Sequence, residues 1–163
     1  MTELDQVELV DVPLKARDGL ESILEESFEG WYLMHSRRTL REVEIVRSAN
    51  LSGRPVGLVM LKMLEGNSGY VYYIAVSRAQ RQKGIGKLLL EDSLKRFKTS
   101  GATEVFASVE KDNEPSERLF ESEGFTRTSF SEVSRKHGSL HTLNMYRVMV
   151  VVPGEILLRK EIS

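Results

Sequence analysis

Cysteine is absent from the chain, which rules out disulfides, thiolate metal sites and a cysteine nucleophile. Long apolar runs are missing too; none approaches the roughly 20 residues that a membrane-spanning helix requires. The acidic N-terminus lacks the apolar core of a secretory signal, so the expectation is a soluble, cytoplasmic protein with no membrane partner. Neither charge dominates. Lys and Arg total 23 against 24 Asp and Glu, for a formal net charge of −1, which argues against nucleic acid as the principal partner. No internal repeat, low-complexity tract or linker interrupts the 163 residues. A single domain over residues 1–163 is therefore expected, enough to bury roughly 70% of the unfolded chain's surface.

What is present centres on Val71–Leu90. Val71 to Val76 is rich in aromatic and β-branched residues and predicts a buried strand. A polar turn follows, and Gly84 and Gly86 stand where a helix begins. Glycine lets a ligand approach the backbone, while a helix start offers N–H groups and partial positive charge. Arg81, Lys83 and Lys87 surround the spot, a combination suited to phosphate. A nucleotide-hydrolase P-loop would need Ser or Thr after Gly86-Lys87, where Leu88 stands, and a glycine at Arg81. A dinucleotide fingerprint would need a third glycine at Leu89. What remains is Gln or Arg, two residues, Gly, one residue, then Gly or Ala, matched by Arg81, Gly84 and Gly86; an ordinary glycine-bearing turn has the same outline.

Along the chain, Val7–Val12 alternates apolar and acidic residues and predicts a half-exposed strand. Leu20, Ile23, Leu24 and Phe28 fall at helical spacing, predicting a helix over Leu14–Phe28 that ends near Gly30. A second short helix is expected over Trp31–Leu40, with Trp31, Tyr32 and Met34 as its apolar members. Val43–Asn50 and Pro55–Leu64 predict strands joined by the turn Ser52-Gly53-Arg54. Glu65–Gly69 predicts another turn into the central strand, making an antiparallel meander. A helix from Gly84 to about Lys98, stopped by Gly101, leads to a strand at Glu104–Val109; strand, helix and strand in so short a span imply a right-handed crossover between parallel strands. Asn113 predicts an N-cap, with Pro115 in the first turn and Gly124 ending the helix. Phe125–Val133 and Leu143–Val152 are read as a final strand pair around a polar loop, Ser134–His141. Ile156, Leu157 and Leu158 in the tail either extend the sheet or pack against another subunit in a homodimer. The fold class is therefore α/β with a mixed sheet: an antiparallel meander, then a parallel central crossover, with helices on both faces.

The Arg81–Gly86 pattern resembles the coenzyme A pyrophosphate loop of the GNAT superfamily, the acetyl-CoA-dependent N-acyltransferases. Asn113 to Phe125 is similar to a second superfamily segment, in which Asn113, Ser116, Leu119, Gly124 and Phe125 match. It begins 27 residues after Gly86, a spacing typical of the superfamily. The likeness runs from roughly Val56 to Phe125. It implies that acetyl-CoA is the co-substrate and that no metal takes part. The pyrophosphate would rest on the loop of Arg81, Gln82, Lys83, Gly84, Ile85, Gly86 and Lys87. The pantetheine arm would run along the backbone of Ile74, Ala75 and Val76, with Asn113 and Phe120 on the cofactor side. An amine would attack the thioester directly, with a strand N–H stabilising the oxyanion.

Many members of that superfamily carry a tyrosine where this chain has Phe120, and that phenol protonates the departing thiolate. Phenylalanine has no proton to give. Tyr72, Tyr73 and Tyr146 are the candidate replacements, and a thiolate whose thiol has a pKa near 8.5 can also leave unassisted. Glu110 is a candidate general base acting through water. Phe28, Trp31 and Tyr32 either pack in the core or line the acceptor's entrance, with His137 and His141 opposite them in the polar loop. The acceptor is an amine on a peptide, a protein or a small molecule. In length and final strand pair the chain also resembles relatives that acetylate protein N-termini, which favours an α-amine over lysine. Phe120 leaves open a different class, a catalytically silent acyl-CoA-binding module that regulates a partner.

Overall fold

The strands are β1 (Glu8–Asp11), β2 (Ile45–Leu51), β3 (Arg54–Leu64), β4 (Ser68–Val76), β5 (Glu104–Glu110), β6 (Thr126–Thr128) and β7 (Glu155–Glu161). They form one mixed sheet in the order β1-β2-β3-β4-β5-β7-β6. Between them lie the helices α1 (Glu21–Ser27), α2 (Gly30–Glu42), α3 (Ile85–Thr99), α4 (Glu114–Ser122), α5 (Phe130–His137) and α6 (Ser139–Met149). The computed structural model describes residues 2–162. They fall into two compact units, one running up to Lys62 and again from Tyr72 to Ser93, the other comprising Met63–Val71 and the chain from Leu94 onward.

In the first unit β2 and β3 pair antiparallel as the first link of the expected meander, from Ile45↔Leu61 to Leu51↔Arg54, and β1 pairs antiparallel with the other edge of β2, from Glu8↔Asn50 to Asp11↔Arg47. The tight link works because Ser52 and Gly53 both take positive φ (52° and 77°), the geometry of a two-residue turn that matches strand twist. Leu20, Ile23, Leu24 and Leu40 from the helical layer pack with Val46, Leu58, Met60 and Ala75 from the strands. Buried Arg17 donates to the carbonyls of Val12 (3.3 Å), Leu40 (2.9 Å), Val43 (2.6 Å) and Glu44 (3.2 Å). These include acceptors at the C-terminal end of α2, which the helix itself leaves unpaired. On β3, a Cβ at Gly57 would sit 3.2 Å from Ile85 Cγ2 and Leu89 Cδ1. That glycine therefore sets how closely the first turns of α3 approach the sheet.

Two helix expectations in this unit need correction. Leu14–Leu20 is 3-10 helix and the α-helix covers only Glu21–Ser27, because Pro13 and Gly19 weaken the first half. Gly30 (φ +54°) opens α2 instead of ending α1. The inward face of α2 is Ser36, Thr39 and Leu40, while Trp31 and Met34 are exposed.

In the second unit β5 pairs in parallel with the first half of β4, from Ser68↔Glu104 to Val71↔Ala107. The end of α3 closes as expected. Gly101 (φ +89°) bonds back to Lys98, and Ala102 N–H reaches Phe97 O at 3.0 Å, the usual glycine-dependent helix stop. Phe97, Phe106, Phe125 and Leu158 are buried. Gly69 makes room for Phe97, whose ring would lie 2.5 Å from a Cβ there.

The final strand pair is β6 with β7, Thr126↔Arg159 to Thr128↔Leu157, and β7 also pairs along its whole length with β5. Of the expected strand Phe125–Val133 only Thr126–Thr128 is strand, and the expected strand Leu143–Val152 and the loop Ser134–His141 are wrong. Ser129 caps α5 by accepting from Glu132 N, and Gly138 (φ +83°) separates α5 from α6. Thr142, Met145 and Met149 are the buried residues of α6, at spacings of three and four. The valine-rich end suggested a strand, but that burial period is helical. Ile156, Leu157 and Leu158 extend the sheet.

Candidate active site

At the end of β4 the chain turns through a 3-10 segment, Arg78–Gln80, and reaches α3 by way of Arg81–Gly84. Gln82 (φ +63°) and Gly84 (φ +89°) adopt the left-handed region, which glycine takes at no cost and which reverses the backbone within a few residues. Gly84 O accepts Leu88 N–H at 3.0 Å, so Gly84 is the N-cap and Ile85, Gly86 and Lys87 form the first turn. Helix N-termini carry partial positive charge that favours anions.

The basic residues of this turn are not equivalent. Arg81 Nε donates to Val76 O at 2.9 Å, and its Nη2 donates to Glu26 O at 3.1 Å and Ser27 Oγ at 3.2 Å. It ties the loop to the strand end and to α1. Lys83 Nζ is shared by Glu3 (3.1 Å) and Gln80 (3.2 Å).

A second group of candidates gathers on the helical side of the same unit. Phe28 meets Tyr73 edge-on with centroids 5.1 Å apart, and Tyr32 meets Trp31 in the same manner at 5.0 Å. Trp31, 46% exposed, stacks on His35 at 4.8 Å with the rings 5° from parallel. His35 Nδ1 lies 2.6 Å from the Tyr73 hydroxyl. Burial, and then the charge of Arg38, push His35 below its ordinary range against the opposing pull of Glu42. His35 is the residue that the sequence did not single out, although its position four after Trp31 places both rings on one helix face. Tyr72 packs beside the same core; burial, followed by the nearby Glu44 carboxylate, pushes its phenol up to about 12.

In the second unit the candidates occupy separate places. Asn113 caps α4, its Oδ1 accepting from Ser116 N at 3.3 Å, and buried Phe120 packs edge-on against Phe125 at 5.1 Å. Tyr146 sits on a helix instead of a strand, edge-on to Phe130 at 5.1 Å, and burial raises its pKa. Glu110 is exposed at the end of β5. His137 bonds to the carboxylate of buried Glu104, and its ring lies 5.3 Å from that of His141. Among the described residues no cluster of three or more His, Asp or Glu is arranged to hold a metal ion, and no helix is long and apolar enough to cross a membrane.

A mixed sheet whose β4 runs through a glycine turn into the head of α3 defines an α/β protein with an anion-favouring strand-to-helix junction. Residues 16–125 match the model of the acetyltransferase (GNAT) family, and the chain belongs to that family. A mycothiol acetyltransferase from Thermomonospora curvata is 33% identical over 79 residues, covering 48% of this chain and 27% of that protein. The chain thus spans about a quarter of the length of the curated relatives it matches. The fold is shared with the ribosomal-protein-S18-alanine N-acetyltransferase of Escherichia coli (TM-score 0.72, 14% identity, covering 96% of this chain and 94% of that one). It is shared equally with the PaiA N-acetyltransferase of Thermoplasma acidophilum, solved in complex with coenzyme A (TM-score 0.72, 15% identity, covering 95% and 98%).

Proposed function

We propose that the chain transfers an acetyl group from acetyl-CoA to a primary amine by direct attack in a ternary complex, the acceptor being the α-amine of a peptide N-terminus. Family membership supports the reaction class, and the observation that carries the site is the Arg81–Gly84 turn at the head of α3. Left-handed Gln82 and Gly84 turn the chain so that the first turn of α3 heads the loop. The pyrophosphate rests on the backbone from Gln82 to Lys87, and the pantetheine arm follows Ile74, Ala75 and Val76. Acetyl-CoA supplies the acetyl group as an activated thioester. A backbone N–H of β4 stabilises the developing oxyanion, an effect often worth several kcal/mol.

The preference for an α-amine rests on proton energetics. The nucleophile must be neutral. At pH 7 a lysine side chain of pKa about 10.4 costs roughly 4.6 kcal/mol to deprotonate, against roughly 1 kcal/mol for an α-amine near 7.8. Lysine therefore gains most from a strong carboxylate base, and Tyr70-Val71-Tyr72-Tyr73 ahead of the loop offers none. Two peptides of one sequence test this, one blocked at its α-amine and one with its lysines replaced. Acceptor-dependent CoA release should be faster, by kcat/KM, with the lysine-free peptide. A better rate with the blocked peptide rejects the α-amine, and no release with any amine leaves the silent CoA-binding module.

A further inference from the structure

Amine acetylation needs somewhere for the ammonium proton to go, and the strand ahead of the loop supplies no carboxylate. The first unit supplies a different pair. Tyr73 lies on β4 directly before Ile74, and its hydroxyl is 2.6 Å from His35 Nδ1 on α2. Four further features fix that pair. Trp31 stacks flat on the imidazole. Phe28 stands edge-on to the phenol. Both partners are half-buried, and Tyr73 packs against the core of Leu20, Leu24, Leu40 and Ala75. Trp31 is the exposed member, so the cluster reaches the surface through an aromatic face.

We propose that Tyr73 and His35 form a proton relay for the acceptor amine, with Tyr73 as the catalytic residue that meets the amine and His35 as the positioning residue that receives the proton behind it. This rests on the acetyltransferase function proposed above. In the Nε2–H tautomer, Nδ1 accepts the Tyr73 hydroxyl proton. The arriving ammonium gives one proton to the Tyr73 oxygen as Tyr73 passes its own to Nδ1, leaving a neutral amine and an imidazolium. The amine lone pair forms the C–N bond, and the C–S bond breaks with its electron pair going to sulfur. The second amine proton ends on that sulfur as CoA thiol, and the imidazolium returns its proton to water.

A neutral imidazole is ready to accept. Burial and Arg38 hold His35 low, against Glu42, and these are the charged groups on its own helix that act on it; from β4 it faces the Tyr73 phenol. Such a weak base suits an α-amine near 7.8 far better than lysine near 10.4. The relay and the α-amine preference thus point the same way.

The test measures CoA release with acetyl-CoA and a lysine-free peptide bearing a free α-amine, for wild type, His35→Asn, His35→Ala, Tyr73→Phe and the double variant His35→Asn/Tyr73→Phe. Asparagine can still bond the Tyr73 hydroxyl but does not take a proton at pH 7. His35→Asn and Tyr73→Phe should each lower kcat at least about tenfold, with the KM for acetyl-CoA within about twofold of wild type. The double variant should be no slower than the slower single, as for residues acting as a unit. Added imidazole should restore rate to His35→Ala and not to Tyr73→Phe. His35→Asn at the wild-type kcat overturns the relay while leaving the acetyltransferase function standing. A loss in His35→Ala that imidazole leaves untouched does the same, since it marks a packing role. A folded wild type whose CoA release is raised by none of the amines offered overturns both.

Discussion

Arg81 Nε donates to the carbonyl of Val76 at 2.9 Å, so the guanidinium at the start of the loop braces the end of β4. With its bonds to Glu26 O and Ser27 Oγ, the side chain fixes the loop to two neighbours at once. A lysine cannot replace that planar fork. Arg81→Ala and Arg81→Lys should both cost about 1 kcal/mol, a fall in Tm of roughly 2–4 °C for a chain of this size. Coenzyme A affinity should fall in both variants, because the loop loses its shape and not merely a charge. Thermal melts and calorimetry check this; Arg81→Lys with wild-type Tm and affinity would show that charge alone matters.

Gly86 stands in the first turn of α3, two residues after the left-handed Gly84. A valine there places a branched side chain where the pyrophosphate is proposed to sit. Gly86→Val should weaken coenzyme A binding at least about tenfold, roughly 1.4 kcal/mol, while the circular dichroism spectrum stays that of the folded protein. Unchanged affinity in a folded Gly86→Val variant would move the pyrophosphate elsewhere.

The parts of the fold written in local pattern were legible. Ser52-Gly53, the Gly84–Gly86 turn, Gly101 and Asn113 each carry a backbone requirement that few residues meet, and each lies where its chemistry places it. The region after Phe125 was not, because Val148, Val150, Val151 and Val152 suit a strand while Thr142, Met145 and Met149 set the helical face that is buried. Strand propensity is a statement about packing surroundings, and here tertiary burial overrode it. The His35–Tyr73 pair was hidden for another reason. The two residues are 38 positions apart, and no spacing rule links a helix to a strand that distant in the chain.

Phe120 packs edge-on to Phe125 in a buried position, so an apolar contact stands where the superfamily resemblance implies a phenolic acid. Two of the candidate tyrosines are poor acids: burial and then Glu44 bring Tyr72 up to about 12, and burial raises Tyr146. A thiolate whose thiol has a pKa near 8.5 needs little help from either. Tyr72→Phe and Tyr146→Phe should therefore keep turnover within about twofold of wild type, and Phe120→Tyr should leave it unchanged or raise it modestly. A tenfold loss in either variant, about 1.4 kcal/mol in the barrier, would identify that tyrosine as the acid.

Glu104 opens β5 with its side chain fully buried. It accepts from Ser68 Oγ at 3.0 Å, Lys136 Nζ at 3.2 Å and Arg159 Nε at 2.6 Å, and bonds to His137 as well. Burial alone would raise its pKa, but the bonds from Arg159, Lys136, His137 and Ser68 outweigh it and hold the carboxyl at about 2. Its ordinary value is 4.5, so the folded pKa is depressed and the folded state favours the charged form. The stabilisation is fully present above the ordinary value and is lost as pH falls from about 4.5 toward about 2. Glu104→Gln removes the charge at every pH, leaving Lys136 beside a neutral amide and Arg159 with its ion pair to exposed Glu161, a loss of roughly 1.5–3 kcal/mol near pH 7. Urea unfolding from pH 7 down to 2 should show wild type losing its advantage over Glu104→Gln only below about pH 4.5. A gap that stays constant through that window would mean that the carboxylate's charge is not what stabilises the fold.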